Sequence, residues 1–478
     1  MSDKKKAVKS VSWITFSTIF QTLLQFLQIS VLARLLNPAD FGIVAISNTV
    51  IIFFSLFANL GFANSIISKQ ETNRKTLTSI FFLGIFLGAI IFLLVFYSSP
   101  LLVSFYHEVR LAKVIKLASC IFLITSFGTV YSALLQKELK FKAVAITDIA
   151  GYLFGVSLTV FLAYKGYKEL SLVYGSLATD LCKTSLQVIL GRKLFYPNLH
   201  FSFSEIKEHL RFGIFNFGEG VIGFVQSNWD NIIIGKLLGT NILGYYTLAY
   251  QLAVFPVIKI NPIILQVAFP LIAKMKENAS ELKKSYLKIL DLISYFNLPL
   301  LAGLYITAES VVPLIYGPGW EPTFPLIKIF VFVSIFSCLS HPLFTLVYTK
   351  GKPNLLFYLN LVTLIIKIPL VYYFGKLWNV NGIAYAFLLA TIINTSLNFL
   401  IVQSLIGSYF KRFISNLYKP VFFCVLMVLT VHFYKQFIGF NGIINTAAEI
   451  AIGGLVYLLF TVWFKYSIVE IKQFKKLL

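Results

Sequence analysis

Long apolar segments separated by short polar gaps run along the whole chain. With about 20 apolar residues for each membrane crossing, this pattern predicts about 14 transmembrane helices. The predicted segments are 10–34, 40–66, 77–98, 112–135, 143–164, 169–190, 207–234, 244–273, 286–308, 324–349, 354–374, 381–406, 418–437 and 442–466. Barrel strands would be about 10 residues long and strictly alternating. The pattern therefore predicts an all-α integral membrane protein whose short gaps leave no room for an extramembrane domain.

Composition agrees with this interpretation. The 478 residues are 58% hydrophobic and 13% charged, with a mean hydropathy of +0.81, which is far too apolar for a soluble protein of this length. The net charge of +22 would suggest nucleic acid in a soluble chain, but the basic residues cluster in the gaps between apolar segments. We therefore expect no nucleic-acid partner. The four cysteines lie in apolar segments without CxxC spacing, so neither a disulfide nor a metal site is expected.

The basic residues also predict an orientation. About 28 of the 41 lysines and arginines lie in gaps on the same side as the N-terminus, against about 8 on the other side. Positive residues favour the cytoplasmic side, so both termini are predicted to be cytoplasmic. Because a missed helix would scramble the bias downstream, its persistence to the C-terminus supports an even number of crossings.

A short pattern recurs after about 202 residues, as internal repeats of transporters do. Arg34-Leu35-Leu36 with Gly42 is followed by Lys236-Leu237-Leu238 with Gly244; at the same offset Ser17 falls on Glu219, Gln28 on Asp230 and Asn59 on Asn261. Six predicted helices separate the copies, so the repeat is parallel. We expect an N-terminal lobe at 1–206 with helices 1 to 6 and a C-terminal lobe at 207–410 with helices 7 to 12. Two appended helices and a basic tail occupy 411–478.

Polar residues recur on one face of several predicted helices. The seventh helix carries Asn216, Glu219, Gly223, Gln226 and Asp230 at intervals of three and four residues. Similar sets are Ser17, Gln21, Gln25 and Gln28 on helix 1, Asn48, Ser55 and Asn59 on helix 2, and Gln251, Lys259 and Asn261 on helix 8. Such residues can join helices by hydrogen bonds. Their recurrence in both halves favours a water-filled cavity lined by helices 1, 2, 7 and 8.

Charged residues deep in the membrane are candidates for a functional role, because each costs about 2.5 to 3.5 kcal/mol at the bilayer centre. Lys259 and Lys367 are the deepest cations and are candidates for binding an anion. Glu219 and Asp230 either pair with these lysines or bind coupling protons or cations. Asp180 and Lys183, three residues apart, are expected to form a local ion pair.

Motifs for chemistry are missing from the sequence. It contains neither a GxxxxGK[ST] phosphate loop nor GxSxG, and its His, Cys and carboxylate residues lack metal-ligand spacing. The sequence thus gives no positive reason to expect an enzyme, a catalytic residue, a metal or a cofactor.

Several segments together resemble one family. They are Ala33-Arg34-Leu35-Leu36-Asn37-Pro38-Ala39-Asp40-Phe41-Gly42, Asn59-Leu60-Gly61-Phe62, Asp230-Asn231 with Ile234-Gly235, Gly244-Tyr245-Tyr246, Pro270-Leu271, and Leu314-Ile315-Tyr316-Gly317 with Trp320. In order and spacing the chain resembles the O-antigen and colanic-acid type polysaccharide flippases of the multidrug/oligosaccharidyl-lipid/polysaccharide exporter superfamily. The resemblance extends over nearly the whole chain.

The resemblance implies a V-shaped bundle in the bacterial inner membrane whose two lobes open alternately to either side. It would carry an undecaprenyl-diphosphate-linked oligosaccharide from the cytoplasmic to the periplasmic leaflet, for polysaccharide or lipopolysaccharide biosynthesis, together with assembly proteins and a coupling proton or sodium ion. The diphosphate would meet Lys259, Lys367, Arg34 or Arg211. The sugars would meet Gln21, Gln28, Asn59, Asn261, Tyr246 and Tyr250. Flippases of this superfamily often carry cavity arginines, whereas the deep cations here are lysines.

Two other functions stay open at this point. A cation-coupled drug antiporter of the same superfamily would have mainly acidic residues in its cavity, and deep lysines beside acids favour an anionic substrate. A membrane polysaccharide polymerase or ligase would be an enzyme, and the lack of a large periplasmic loop argues against it.

Overall fold

The computed structural model describes residues 3–71, 73–275, 278–437 and 442–465, and within these ranges the chain is helical and without strands. The helices are α1 (Asp3–Leu35), α2 (Pro38–Asn59), α3 (Phe62–Ser68), α4 (Arg74–Tyr106), α5 (Arg110–Ala118), α6 (Ile121–Ser126), α7 (Thr129–Lys137), α8 (Phe141–Tyr164), α9 (Glu169–Gly191), α10 (Phe203–Leu237), α11 (Gly239–Lys274), α12 (Ala279–Tyr316), α13 (Thr323–Ser340), α14 (Pro342–Thr349), α15 (Asn354–Ile406), α16 (Phe410–Phe437) and α17 (Ile443–Lys465). The predicted all-α fold class is confirmed.

Many of these helices have the length and composition of membrane spans. Within the described ranges ten helices or helix pairs are long and apolar enough to cross a bilayer, and an eleventh arises if the pair bent by 47° between Arg110–Ser126 and Thr129–Lys137 is one span. The chain is therefore a multi-pass membrane protein. The predicted segments 169–190 and 207–234 form helices α9 and α10 but do not belong to those spans. The number of fourteen crossings stays a prediction.

Helix α15 consists of two limbs. Its 53 residues would extend about 80 Å if straight, more than twice the thickness of a bilayer core. The backbone leaves the helical region at Trp378 and Asn379, where Asn379 has a φ of +52°. A Cβ on Gly382 would lie 1.9 Å from the Phe374 carbonyl oxygen, so only glycine permits this close approach of the two limbs. The break falls in the predicted gap between 374 and 381.

The chain forms two compact units, Met1–Gly244 and Tyr245–Leu478. Helix α10, whose segment the sequence assigned to the second lobe, belongs to the first unit, where it packs against α2, α3 and α4. The sequence-based division at 1–206, 207–410 and 411–478 stays a prediction.

Small residues let two helices of the first unit approach closely. A Cβ on Gly155 of α8 would lie 1.8 Å from the Thr179 hydroxyl oxygen, and one on Gly175 of α9 would lie 1.6 Å from the Thr159 hydroxyl oxygen. Both threonines direct their hydroxyls back to their own helix, to the carbonyls of Gly175 and Gly155. Such close packing of small residues is the usual means of joining helices in lipid.

A second reciprocal contact joins the first turns of α2 and α11, with all four residues inside the first unit. A Cβ on Gly42 would lie 1.8 Å from the Thr240 carbonyl oxygen, and a Cβ on Gly244 would lie 1.8 Å from that of Pro38. Gly42 and Gly244, like Pro38 and Thr240, correspond at the offset of the sequence repeat. The contact thus has the symmetry expected of two equivalent segments related by a two-fold axis.

In the second unit α12 packs against α13, α16 and α17. One buried core cluster contains Tyr295, Leu298, Phe423, Cys424, Met427 and Tyr457. The Tyr457 hydroxyl donates to the Tyr295 carbonyl at 3.1 Å. Nearby, Lys435 of α16 forms a 3.4 Å ion pair with the buried Glu449 of α17, so charge pairing as well as apolar packing joins the last two helices.

Candidate functional site

Lys367 lies against an aromatic cluster inside the second unit. Lys367 is 6% exposed, and its Nζ is 3.9 Å from the centroid of the Phe387 ring. The aromatic cluster comprises Tyr246, Tyr250, Phe330 and Phe387. A desolvated cation over an aromatic face gains about 2 kcal/mol, which offsets part of the cost of burying the ammonium group. The fold therefore brings together three residues that the sequence singled out: Lys367, Tyr246 and Tyr250.

The members of the cluster differ in access. Tyr246 is only 1% exposed and packs as a core residue against Phe330, with ring centroids 5.1 Å apart. Tyr250 is half-buried and lies 5.7 Å from Phe387. Lys259 lies further along α11, is half-buried, and has Nζ 5.8 Å from the Phe255 ring. Of the two predicted deep lysines, Lys367 is thus the more enclosed.

Asn261 is at the centre of a buried hydrogen-bond network that joins three helices. Its Nδ2 donates to the Cys338 carbonyl at 3.2 Å and lies 3.0 Å from Nδ1 of His341. Asn297 of α12 donates to Asn261 Oδ1 at 2.9 Å. Because all of these bonds are internal, the described contacts of Asn261 join helices rather than offer groups to a ligand.

Next to this network is a cavity of about 360 Å³ that we call the amide pocket. Its polar lining residues are Ser340, His341, Asn360, Asn394 and Asn398. The three asparagines are not among the residues that the sequence predicted for the site. Asn394 and Asn398, four residues apart within an apolar segment, carry the same kind of signal that selected the face of helix 7.

The glutamines of α1 have partners in the first unit. Gln21 donates to the Ser17 hydroxyl at 2.9 Å, and the Tyr152 hydroxyl lies 3.5 Å from Oε1 of Gln28. Both glutamines are half-buried. The side chains of Asn59 and Glu219, which were also predicted for the site, lie outside the described residues.

The two predicted arginines lie in different places. Arg34 is exposed in the last turn of α1, whereas Arg211 is exposed near the beginning of α10. Under the predicted topology these positions are on opposite sides of the membrane.

Acidic residues of the first unit lie in separate settings. Asp230 on α10 is buried. Lys183 pairs with Asp148 of the neighbouring helix, with Nζ 2.6 Å from Oδ1. Lys183 thus forms its ion pair with Asp148 on α8, while its charge also acts on the Asp180 carboxyl that was the expected local partner.

A charge cluster that the sequence did not predict surrounds Arg110. Its guanidinium lies 3.2 Å from Asp40, 3.1 Å from Glu108 and 3.8 Å from Glu169. Glu108 also accepts a hydrogen bond from the Thr240 hydroxyl at 3.3 Å. Partial burial opposes ionisation of Glu108, but the hydrogen bonds and charge of Arg110 outweigh it and lower the pKa of this carboxyl. The cluster thus lies beside the reciprocal glycine contact and stabilises the same turns.

A comparison with known protein families shows to which family this chain belongs. Residues 31–325 match the model of a family described as polysaccharide biosynthesis protein. The chain belongs to this polysaccharide biosynthesis protein family. The match contains α2 to α12 completely, and it includes both recurring segments, Arg34 to Gly42 and Lys236 to Gly244.

Curated relatives of this polysaccharide biosynthesis protein cover nearly its whole length. It is 30% identical to the lipopolysaccharide biosynthesis protein WzxC of Escherichia coli over 434 residues, which is 91% of this chain and 88% of the relative. It is 24% identical to the teichuronic acid biosynthesis protein TuaB of Bacillus subtilis, over 96% of this chain and 95% of the relative.

Solved structures show the fold of the family member. The lipid II flippase MurJ, in an inward closed conformation, is similar with a TM-score of 0.78 at 14% identity, over 94% of this chain and 98% of the other. An inward-facing multidrug resistance MATE transporter is similar with a TM-score of 0.59 at 15% identity, over 80% of this chain and 95% of the other. The polysaccharide biosynthesis protein therefore has the fold of the multidrug/oligosaccharidyl-lipid/polysaccharide exporter superfamily.

Proposed function

We propose that this protein is a flippase that moves a lipid-linked oligosaccharide across the bacterial cell membrane for polysaccharide biosynthesis. The observation that carries the proposal is the 30% identity with a lipopolysaccharide biosynthesis protein over 91% of the chain. The substrate is an oligosaccharide on undecaprenyl diphosphate, moved from the cytoplasmic to the periplasmic leaflet. No step of this process makes or breaks a covalent bond, and the protein is not an enzyme.

The buried cation Lys367 favours a substrate with an anionic headgroup. Lys367 is enclosed, and its Nζ lies 3.9 Å from the centroid of the Phe387 ring. An ammonium group at this position can donate charge-assisted hydrogen bonds to a diphosphate, and such bonds are about twice as strong as those between neutral groups. Lys259, Arg34 and Arg211 complete the proposed cationic path, with Arg211 on the cytoplasmic and Arg34 on the periplasmic side.

An apolar groove on the second unit is suited to hold the lipid tail of the proposed substrate. A cavity of about 450 Å³ lies among α12, α13 and α16 and is lined by aliphatic and aromatic side chains together with Cys424. Several of its lining residues, including Phe332, Val421 and Leu429, are exposed. Polyprenyl chains offer no hydrogen-bonding groups, so a groove of this composition suits them.

The remaining parts of the proposal come from the sequence. Lobes at 1–206 and 207–410 alternate between inward and outward openings around a cavity lined by helices 1, 2, 7 and 8, with 411–478 appended. Gln21, Gln28, Asn59 and Tyr250 contact sugars, whereas the buried Asn261 and Tyr246 hold the surrounding helices together. Glu219 and Asp230 pair with lysines or bind a coupling proton or sodium ion. Both termini are cytoplasmic, and the protein acts with polysaccharide assembly proteins in the inner membrane.

A deletion strain tests this function. We expect lipid-linked repeat units to accumulate in the cytoplasmic leaflet, where membrane-impermeant periodate cannot oxidise their sugars in intact spheroplasts. Oxidation should occur once inverted vesicles are prepared. Accumulation in the outer leaflet would instead indicate a polymerase or ligase. Altered drug tolerance without accumulation of lipid-linked sugars would indicate the antiporter.

A further inference from the structure

The helix break beside the amide pocket leaves two backbone carbonyls without their helical partners. Pro342 has no N–H, so the Cys338 carbonyl four residues earlier loses its hydrogen bond. The Phe344 N–H donates to the His341 carbonyl at 3.3 Å rather than to that of Ser340. The break between α13 and α14 therefore creates two acceptors that need other donors.

Two asparagine side chains supply those donors. Asn261 Nδ2 donates to the Cys338 carbonyl at 3.2 Å, and Asn398 Nδ2 donates to the Ser340 carbonyl at 2.9 Å. Asn398 is 2% exposed and lines the pocket. Its Oδ1 is buried and accepts no hydrogen bond from the described residues. Such a buried acceptor destabilises the structure unless a ligand or water donates to it.

The same network fixes a donor on the pocket wall. Asn261 Oδ1 accepts from Asn297, so its Nδ2 must donate to Nδ1 of His341 at 3.0 Å. A neutral imidazole with an accepting Nδ1 carries its proton on Nε2. No described residue accepts a hydrogen bond from that nitrogen. Two residues that line the pocket, Asn398 and His341, thus carry an acceptor and a donor that no described residue uses.

The residues that line the pocket argue against charged ligands. Its polar residues are amides, a hydroxyl and an imidazole, without any lysine, arginine or carboxylate, so a phosphate would lack a counter-charge. The outward-donating Nε2–H opposes a bound cation. Apolar walls come from Leu265, Phe344, Leu356 and Leu359. A volume of about 360 Å³ is at the lower end for small-molecule sites. Neutral donors, acceptors and apolar walls together match the hydroxyls and C–H faces of one sugar ring.

We propose that the amide pocket binds one neutral sugar residue of the transported lipid-linked oligosaccharide. Asn398 Oδ1 accepts from a sugar hydroxyl, His341 donates to a ring or hydroxyl oxygen, and Asn360 and Asn394 complete the contacts at the mouth. This inference rests on the proposed function and adds where part of the glycan is recognised.

Binding to the purified full-length protein tests the proposal. The two probes are the lipid-linked repeat unit isolated from the deletion strain and undecaprenyl diphosphate, which lacks the sugars. Asn360→Leu and Asn394→Leu remove pocket amides. Asn394 donates to the Thr363 hydroxyl at 2.7 Å, so Thr363→Val is the matched control, because it breaks that hydrogen bond and keeps the amide.

We expect the wild type to bind the repeat unit more tightly than undecaprenyl diphosphate. Each leucine variant should reduce this difference by roughly 2- to 10-fold, the loss of one neutral hydrogen bond, and leave the affinity for undecaprenyl diphosphate unchanged. Thr363→Val should retain the difference. Equal loss for both probes, or an unchanged difference in the Asn360→Leu/Asn394→Leu double variant, would overturn the pocket assignment alone. A wild type that binds neither probe would overturn the proposed function as well.

Discussion

The reciprocal contact of Gly42 and Gly244 gives a quantitative prediction. An alanine Cβ at either position would lie 1.8 Å from a backbone carbonyl oxygen, whereas real Cβ contacts stay above 3.0 Å. The first turns of α2 and α11 would therefore have to separate by at least about 1.2 Å, and overpacking of this kind typically costs about 1 to 3 kcal/mol. Gly84→Ala is the matched control, since its Cβ would meet nothing within 4 Å. The control should gain about 1 kcal/mol of helix propensity.

The double variant makes this prediction sharper. Once one alanine has separated the two turns, the second alanine finds its space already open, so the two losses should be strongly non-additive. We expect Gly42→Ala and Gly244→Ala each to lower the apparent Tm in detergent, and the double variant to lower it little further. Gly84→Ala should leave Tm unchanged or raise it. Polymer production in the deletion strain provides a second readout at equal protein level.

Two results would refute the reasoning. Fully additive losses would show that the two glycines do not share one contact. Single alanine variants that behave like Gly84→Ala would show that α2 and α11 do not approach each other so closely.

Other variants test the charged groups. Lys367→Met should reduce polymer production at least 10-fold if the lysine contributes one charge-assisted bond of about 1.5 to 3 kcal/mol, while Lys328→Met, which removes a half-exposed lysine, should not; equal effects would argue against a substrate role. Glu449→Ala removes the buried partner of Lys435 and should lower the unfolding free energy by about 3 kcal/mol or more. Glu281→Ala, which removes an exposed carboxylate, should change the unfolding free energy little. The lowered pKa of Glu108 means that its stabilisation is full above the unfolded carboxyl pKa of about 4.3 and is lost as pH falls through the lower folded value. The Tm difference between wild type and Glu108→Gln should therefore shrink below about pH 4, and a difference independent of pH would contradict this.

The sequence predicted the helices well because apolar length is a local property. The predicted segment 10–34 lies within α1, and the gap between 374 and 381 coincides with the break at Asn379. Shorter breaks were missed: segment 112–135 is divided into α5, α6 and α7, and hydropathy alone does not register turns inside an apolar run.

Side-chain partners were harder to predict, because the rotation of each helix decides them. Lys183 forms its ion pair with Asp148 on another helix, whereas the expected partner was Asp180 on its own. Arg110 gathers carboxylates from positions 70 residues before it and 59 after it, a proximity that no local periodicity contains. Lys367 was found by its charge, but its aromatic neighbour Phe387 comes from the other limb of α15. The amide pocket was missed because asparagine within an apolar helix is compatible with both packing and binding.

Pro342, Asn261 and Asn398 are linked through one helix break, because each asparagine donates to a carbonyl that the break leaves without its helical partner. A relative without proline at this position would have a backbone N–H that can donate to the Cys338 carbonyl, so the donor from Asn261 would no longer be needed. Conversely, losing either asparagine while keeping the proline would leave a backbone carbonyl without a hydrogen-bond donor in the bilayer interior. These three positions, more than 130 residues apart at the extremes, should therefore covary across the family, with each substitution followed by the others.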